Sequence, residues 1–193
     1  MNATLGCVRA DAGSVNAQSL VFGPASAASG NANRIVYGAT YSPANDAMYL
    51  ATSKVANADQ GTIFEIDKGV ADASLCRAAP VVTALVTGLA DVPSTKPLST
   101  RAGTLFYGTA NGKLMRLDVA GRAVALVADL QAAGAALSQV KGYLAEAADG
   151  VVVAVVFDYD SSRNNTGRRL VSIDVATGAI ASRDVTSLVD EWE

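Results

Sequence analysis

Hydrophobic and polar positions along this chain fall into one block that keeps returning. Gly61-Thr62-Ile63-Phe64-Glu65-Ile66-Asp67 is matched by Gly112-Lys113-Leu114-Met115-Arg116-Leu117-Asp118 and by Arg168-Arg169-Leu170-Val171-Ser172-Ile173-Asp174, with a degenerate first copy at Cys7-Val8-Arg9-Ala10-Asp11. The closing aspartates Asp11, Asp67, Asp118 and Asp174 recur about every 50 residues, an interval that marks a repeat architecture built from one supersecondary unit.

Each unit reads as a run of short strands. Ahead of the block lies a second β-rich run, at 47–52, 103–109 and 151–157, announced by the turn signals Asn45-Asp46, Ala102-Gly103 and Asp149-Gly150. Before those turns sit shorter extended pieces at 35–40, 96–100 and 142–147. After the closing aspartate comes another turn and a more polar, alternating strand, as at 123–129 and 179–185. The middle strands are apolar on both faces and the last one alternates, as stacked sheets require when only the outermost strand is wetted. Units of this length that pack face to face around an axis are propeller blades.

The expectation is therefore an all-β chain: a β-propeller segment of about three and a half four-stranded antiparallel blades, read as a single partial propeller over residues 1–193. The blades fall at 1–23, which holds only the third and fourth strands, and at 34–86, 96–130 and 140–189. A β-sandwich is the competing architecture, but it does not call for so regular a repeat. A half blade leaves an unpaired strand edge, which natural proteins avoid. The segment is thus expected to belong to a larger propeller, completed by the same longer chain or by a neighbouring one.

Composition narrows the function classes. Half of the residues are hydrophobic and 17% are charged, which suits a folded domain with a sizeable core. The longest apolar run, 151–157, is much too short to cross a bilayer, so no membrane insertion is expected. A net charge of −3 with scattered cations offers no basic stripe for nucleic acid. The chain has no histidine, which removes the commonest general base and transition-metal ligand together. Cys7 and Cys76 match no metal spacing; a disulfide and a pair of buried thiols both account for them.

The stretch Met48-Tyr49-Leu50-Ala51-Thr52-Ser53 followed by the block at 61–67 resembles the strand pairs of secreted bacterial tandem-repeat β-propellers, and Leu105-Phe106-Tyr107-Gly108-Thr109 resembles them again. The last unit, Arg169-Leu170-Val171-Ser172-Ile173-Asp174 with Thr177-Gly178, looks more like a quinoprotein-type blade. The resemblance implies a secreted, periplasmic or cell-surface bacterial protein.

In such a fold the first-to-second and third-to-fourth turns share one end, and the remaining connections share the other. The long connections, 53–60, 158–167, 23–33, 86–95 and 130–140, are expected to project together from that other end, which makes it the candidate face for a protein or glycan ligand. Candidate binding residues there are Asp158, Tyr159, Asp160, Arg163, Asn164 and Asn165, with Lys54 and Asp59 in a second loop. Asp158, Asp160, Ser162 and Asn164 also place oxygens at alternate positions, a pattern suited to calcium. Arg163 stands where a hand-type loop needs glycine, and Arg169 where it needs a glutamate, which favours a solvated hairpin with no cofactor. Glu146, on an innermost strand, is read as a channel-lining acid; glycoside hydrolysis would require a second carboxylate. The expected function is a non-catalytic, extracellular or cell-surface binding scaffold. The alternatives are a polysaccharide hydrolase or lyase, or a quinoprotein-like oxidoreductase, with further site residues outside this segment, or a structural subunit of a larger assembly.

Overall fold

The computed structural model describes residues 3–8, 15–20, 34–54, 61–66 and 82–189. A hairpin of β1 (Ala3–Val8) and β2 (Val15–Leu20) comes first. The first full sheet holds β3 (Arg34–Ser42), β4 (Ala47–Lys54), β5 (Gly61–Ile66) and β6 (Val82–Leu89). The second holds β7 (Leu98–Ser99), β8 (Leu105–Gly108), β9 (Lys113–Asp118) and β10 (Ala123–Asp129). The third holds β11 (Leu137–Ala148), β12 (Val151–Tyr159), β13 (Asn165–Asp174) and β14 (Ile180–Asp184), followed by the single helical turn α1 (Thr186–Val189). Among the described residues these make three four-stranded antiparallel sheets, each with its strands in chain order. The first strands converge, β3 meeting β7 and β7 meeting β11, so the sheets fan out from a common inner edge. The chain is a β-propeller segment.

Repeat and register agree. Ile63 lies opposite Ala51, Leu114 opposite Gly108, and Leu170 opposite Val155, so the third strand of every sheet presents the same repeat position to the same side. Two apolar layers result. Tyr49, Ala51, Ile63 and Leu85 of the first sheet meet Leu105, Tyr107, Met115 and Leu117 of the second. The second sheet turns Phe106, Leu114 and Ala128 the other way, onto Val140, Leu144, Val152, Val156 and Ile173 of the third. Alternation along β8 thus feeds both layers, and its whole span is buried. Each such fully buried large side chain contributes about 1.5–3 kcal/mol relative to an exposed one. Gly108 lets the second and third sheets close, because a methyl group there would run into the Val140 side chain.

Several expectations need correction. β11 starts at Leu137, not 142, because Ser138 and Val140 turn inward and bury completely. β7 shrinks to Leu98–Ser99. Pro97, lacking an N–H, sits immediately before it, and Pro93 makes only an isolated bridge to Thr109. The long connections do not all gather at one end, since Ile66 of β5 and Val82 of β6 are joined by a long third-to-fourth connection at the other. Leu170, aligned with core positions, is 42% exposed because among the described residues no sheet covers that face. Asp59, Cys76 and the Lys54 and Cys7 side chains lie outside the described residues.

Candidate functional site

At the inner edge of the fan, β11 is irregular in its middle. Lys141 pairs with Val155 and Leu144 with Ala154, so Gly142 and Tyr143 form a bulge without partners across the ladder. Gly142 adopts φ 75°, which costs glycine little and other residues more. A bulge re-aims the side chain it carries. Here that side chain is Tyr143, 71% exposed on a first strand. The Lys96 ammonium, from the segment leading into β7, stands 4.9 Å from the centre of its ring. An exposed aromatic face beneath a cation offers apolar surface and a charged hydrogen-bond donor together.

Beyond the bulge on β11, Glu146 faces the second sheet, and its Oε2 accepts a hydrogen bond of 3.0 Å from the Arg101 backbone N–H in the β7–β8 turn. Arg101, Ala102, Glu146 and Asp149 line an open cleft of about 490 Å³. On the other side of Ala102 a second cleft, about 500 Å³, runs between Asn45, Thr104, Arg116 and Asp118. Asn45 ties its walls together by donating to the Gly103 carbonyl at 3.0 Å. Both clefts lie at the end formed by the first-to-second turns, opposite the loop at 160–164.

That loop is turned inward on itself. Asp158 is buried, and its carboxylate takes Arg169 in a two-point grip, Nε to Oδ2 at 2.7 Å and Nη2 to Oδ1 at 2.9 Å. Ser138 Oγ donates to Asp158 Oδ1 at 2.5 Å, and Arg169 Nη2 also donates to the Leu130 carbonyl at 2.7 Å. Asp160 accepts from the backbone N–H groups of Ser162 and Asn164, both at 2.8 Å, and from the Asn164 amide at 3.0 Å. The Asn164 side-chain bond comes first among the causes that hold the Asp160 carboxyl below its ordinary range. Arg163 occupies the left-handed turn position at φ 63°. Asn165 Oδ1 accepts the Gly167 N–H at 3.0 Å, and the half-buried Tyr159 lies under the Lys141 ammonium at 5.4 Å. Ser162 is exposed. Asp158 and Asp160 therefore spend their carboxylates on different partners. Among the described residues no group of three or more acidic, cysteine or histidine side chains converges as a metal site would.

The same end carries a second polar cluster, where Asn111 Nδ2 and Lys113 Nζ both donate to Asp91 Oδ1 at 2.8 Å. The Asn111 amide first and Lys113 next hold the Asp91 carboxyl below its ordinary range.

Of the sequence candidates among the described residues, Glu146 is the one on a first strand, beside Arg101; Tyr143 and Lys96 form a separate pair on the same inner edge. The one sequence signal for Tyr143 is the glycine before it, since glycine inside a strand marks a bulge.

No protein-family model matches the chain, and no curated protein matches it. Solved structures do. An engineered GH43 glycoside hydrolase with endo-xylanase and exo-arabinofuranosidase activity, a propeller fold, overlaps 77% of this chain at TM-score 0.54 and 13% identity. An oligogalacturonate lyase in complex with manganese overlaps 94% at TM-score 0.50 and 14% identity. BamB from Moraxella catarrhalis overlaps 76% at TM-score 0.37 and 16% identity, too loosely to carry an argument. The chain spans 28% of the length of the hydrolase, 46% of the lyase and 48% of BamB. At these identities the likeness is one of fold.

Proposed function

We propose that this propeller segment is a non-catalytic, extracellular or cell-surface binding scaffold whose ligand is a glycan held at the inner edge of the sheets. The observation that carries this reading is Tyr143, 71% exposed on a first strand and re-aimed by the Gly142 bulge. A tyrosine face matches the C–H face of a sugar ring, and its hydroxyl stays free for a hydrogen bond. Lys96 and the cleft-lining Arg101 and Glu146 supply the donors and acceptors that sugar hydroxyls require. On this reading the ligand lies away from the long 158–167 loop, where Asp158 and Asp160 already have partners.

The test is calorimetric titration of neutral and acidic oligosaccharides into the protein and into Tyr143→Ala. Loss of the stacking surface removes about 0.5–1.5 kcal/mol, up to roughly tenfold in affinity, with the melting temperature unchanged. A panel in which nothing binds, or a variant that binds like the parent, would defeat the reading.

A second reading, a polysaccharide hydrolase or lyase, draws support from Asp149, a second acidic residue in the lining of the cleft that holds Glu146, since glycoside hydrolysis works with two carboxylates. Release of reducing ends from a bound polysaccharide, abolished in Glu146→Gln with binding retained, would select it over the scaffold.

A further inference from the structure

Lys96 reaches across the inner edge from the first sheet to the third. In the first sheet the β3–β4 ladder slips between Val36 and Gly38, and Gly38 takes φ 117°, a conformation open to glycine and strained for other residues. A methyl group at Gly38 would stand 3.3 Å from the Lys96 β-carbon and 3.9 Å from its δ-carbon, so the bare backbone leaves room for the lysine stem to lie against β3. In the third sheet the Gly142 bulge sets Tyr143 under the other end of the same side chain, with 4.9 Å between the ammonium and the ring centre. The buried Pro97 follows Lys96, and a residue before proline is confined to extended backbone. Two irregular strands and a proline thus hold one lysine in place.

This lysine lacks a counter-charge. Among the described residues no carboxylate lies within ion-pair distance of its ammonium, whereas Lys113 and Arg169 each have one. The tyrosine ring attracts the cation without neutralising it. Lys96 is half-buried, so its charge acts through a medium less screening than open water. The acids of the neighbouring cleft do not fill the gap. Glu146 accepts the Arg101 N–H and stands three residues beyond Tyr143, about 10 Å along a strand, more than the Debye length of about 8 Å at physiological salt.

We propose that the glycan of the inner-edge site is anionic: a sugar carrying a carboxylate or sulfate group that pairs with Lys96 while its ring lies on the face of Tyr143 that Lys96 leaves open. The inference rests on the glycan reading and names the class of its ligand. A compact ammonium accepts either anion, so the two sources are separated by experiment.

Calorimetric titration of three oligosaccharides of equal length, one neutral, one containing uronic acid and one sulfated, tests it. At low salt an anionic ligand is expected to bind about tenfold more tightly than the neutral one, and the tighter of the two anionic arms identifies the group. The preference should shrink when salt is raised to about 1 M, where the Debye length is about 3 Å. Lys96→Met, which keeps an unbranched stem beside Gly38, is expected to bring the anionic ligands down to the neutral one, whereas Tyr143→Ala weakens all three by a similar factor. A neutral ligand bound as tightly as both anionic ones overturns this inference and leaves glycan binding standing. A preference that survives Lys96→Met overturns it too, since another cation then reads the charge, as does one indifferent to salt, a check that requires no variant to fold. If none of the three binds, the glycan reading fails and this inference falls with it.

Discussion

Arg169 and Asp158 share a place where neither charge meets much water, so removing one strands the other. Arg169→Met is expected to lower the unfolding free energy by about 3 kcal/mol in urea melts. Replacing both partners with apolar residues should cost markedly less, because no buried charge is then left unpaired. Since Asp158 is committed to Arg169 and Asp160 to its own turn, added calcium is expected to leave the melting temperature unchanged; a calcium-dependent rise would contradict that geometry. The alternation of oxygens from Asp158 to Asn164 is plain in the sequence. The destination of the Asp158 carboxylate is not, because it depends on Arg169 and Ser138, which come from other strands.

Acid sensitivity also belongs to single residues. Asp91 is held low by Asn111 and Lys113, Asp174 by the Thr177 N–H and hydroxyl, and Asp184 by the Thr186 hydroxyl and N–H. Each folded carboxyl binds its proton more weakly than the unfolded chain does, so its contribution is complete above about pH 4 and is lost as pH falls through the depressed folded values. Melting temperature should therefore drop below about pH 4, and less steeply in Asp91→Asn. Burial, aided by the Glu65 charge, pushes the Tyr49 phenol up to about 12. A raised phenol stabilises the fold up to about pH 10 and ceases to do so as pH rises through the folded value. Ultraviolet titration should show Tyr49 ionising late.

Among the elements, β8 and β11 show what patterning reveals and what it hides. The apolar run from Leu105 to Gly108 announces a strand buried on both faces, and the structure buries all of it. Yet the run does not disclose that Gly108 is there to admit Val140. Gly108→Ala is expected to cost about 1–3 kcal/mol through overpacking, measured as a shift in the denaturant midpoint without a change in slope. β11 was harder to read. Its polar and small residues, Ser138, Gln139, Lys141 and Gly142, resemble a loop, and only the packing of Ser138 and Val140 against the second sheet makes them strand. Starting the strand at Gly142 concealed the bulge, and with it Tyr143.

For the whole molecule, the recurring block located the third strand of each sheet and the stacking order, because the same repeat position must feed the same inter-sheet layer. It did not separate a covered face from an open one, since Leu170 carries the same pattern as Leu114 while lacking its cover. It pointed to the long-loop end as the candidate binding face, because loop length is visible in sequence, whereas the partners that Asp158 and Asp160 take up are not. The inner-edge site is tested most directly by mapping backbone amide shifts in two-dimensional NMR while an oligosaccharide that binds is added. The account predicts that the perturbed amides centre on Lys96, Arg101, Tyr143 and Glu146. Perturbations centred on residues 130–136 and 160–164, with those four unmoved, would contradict it.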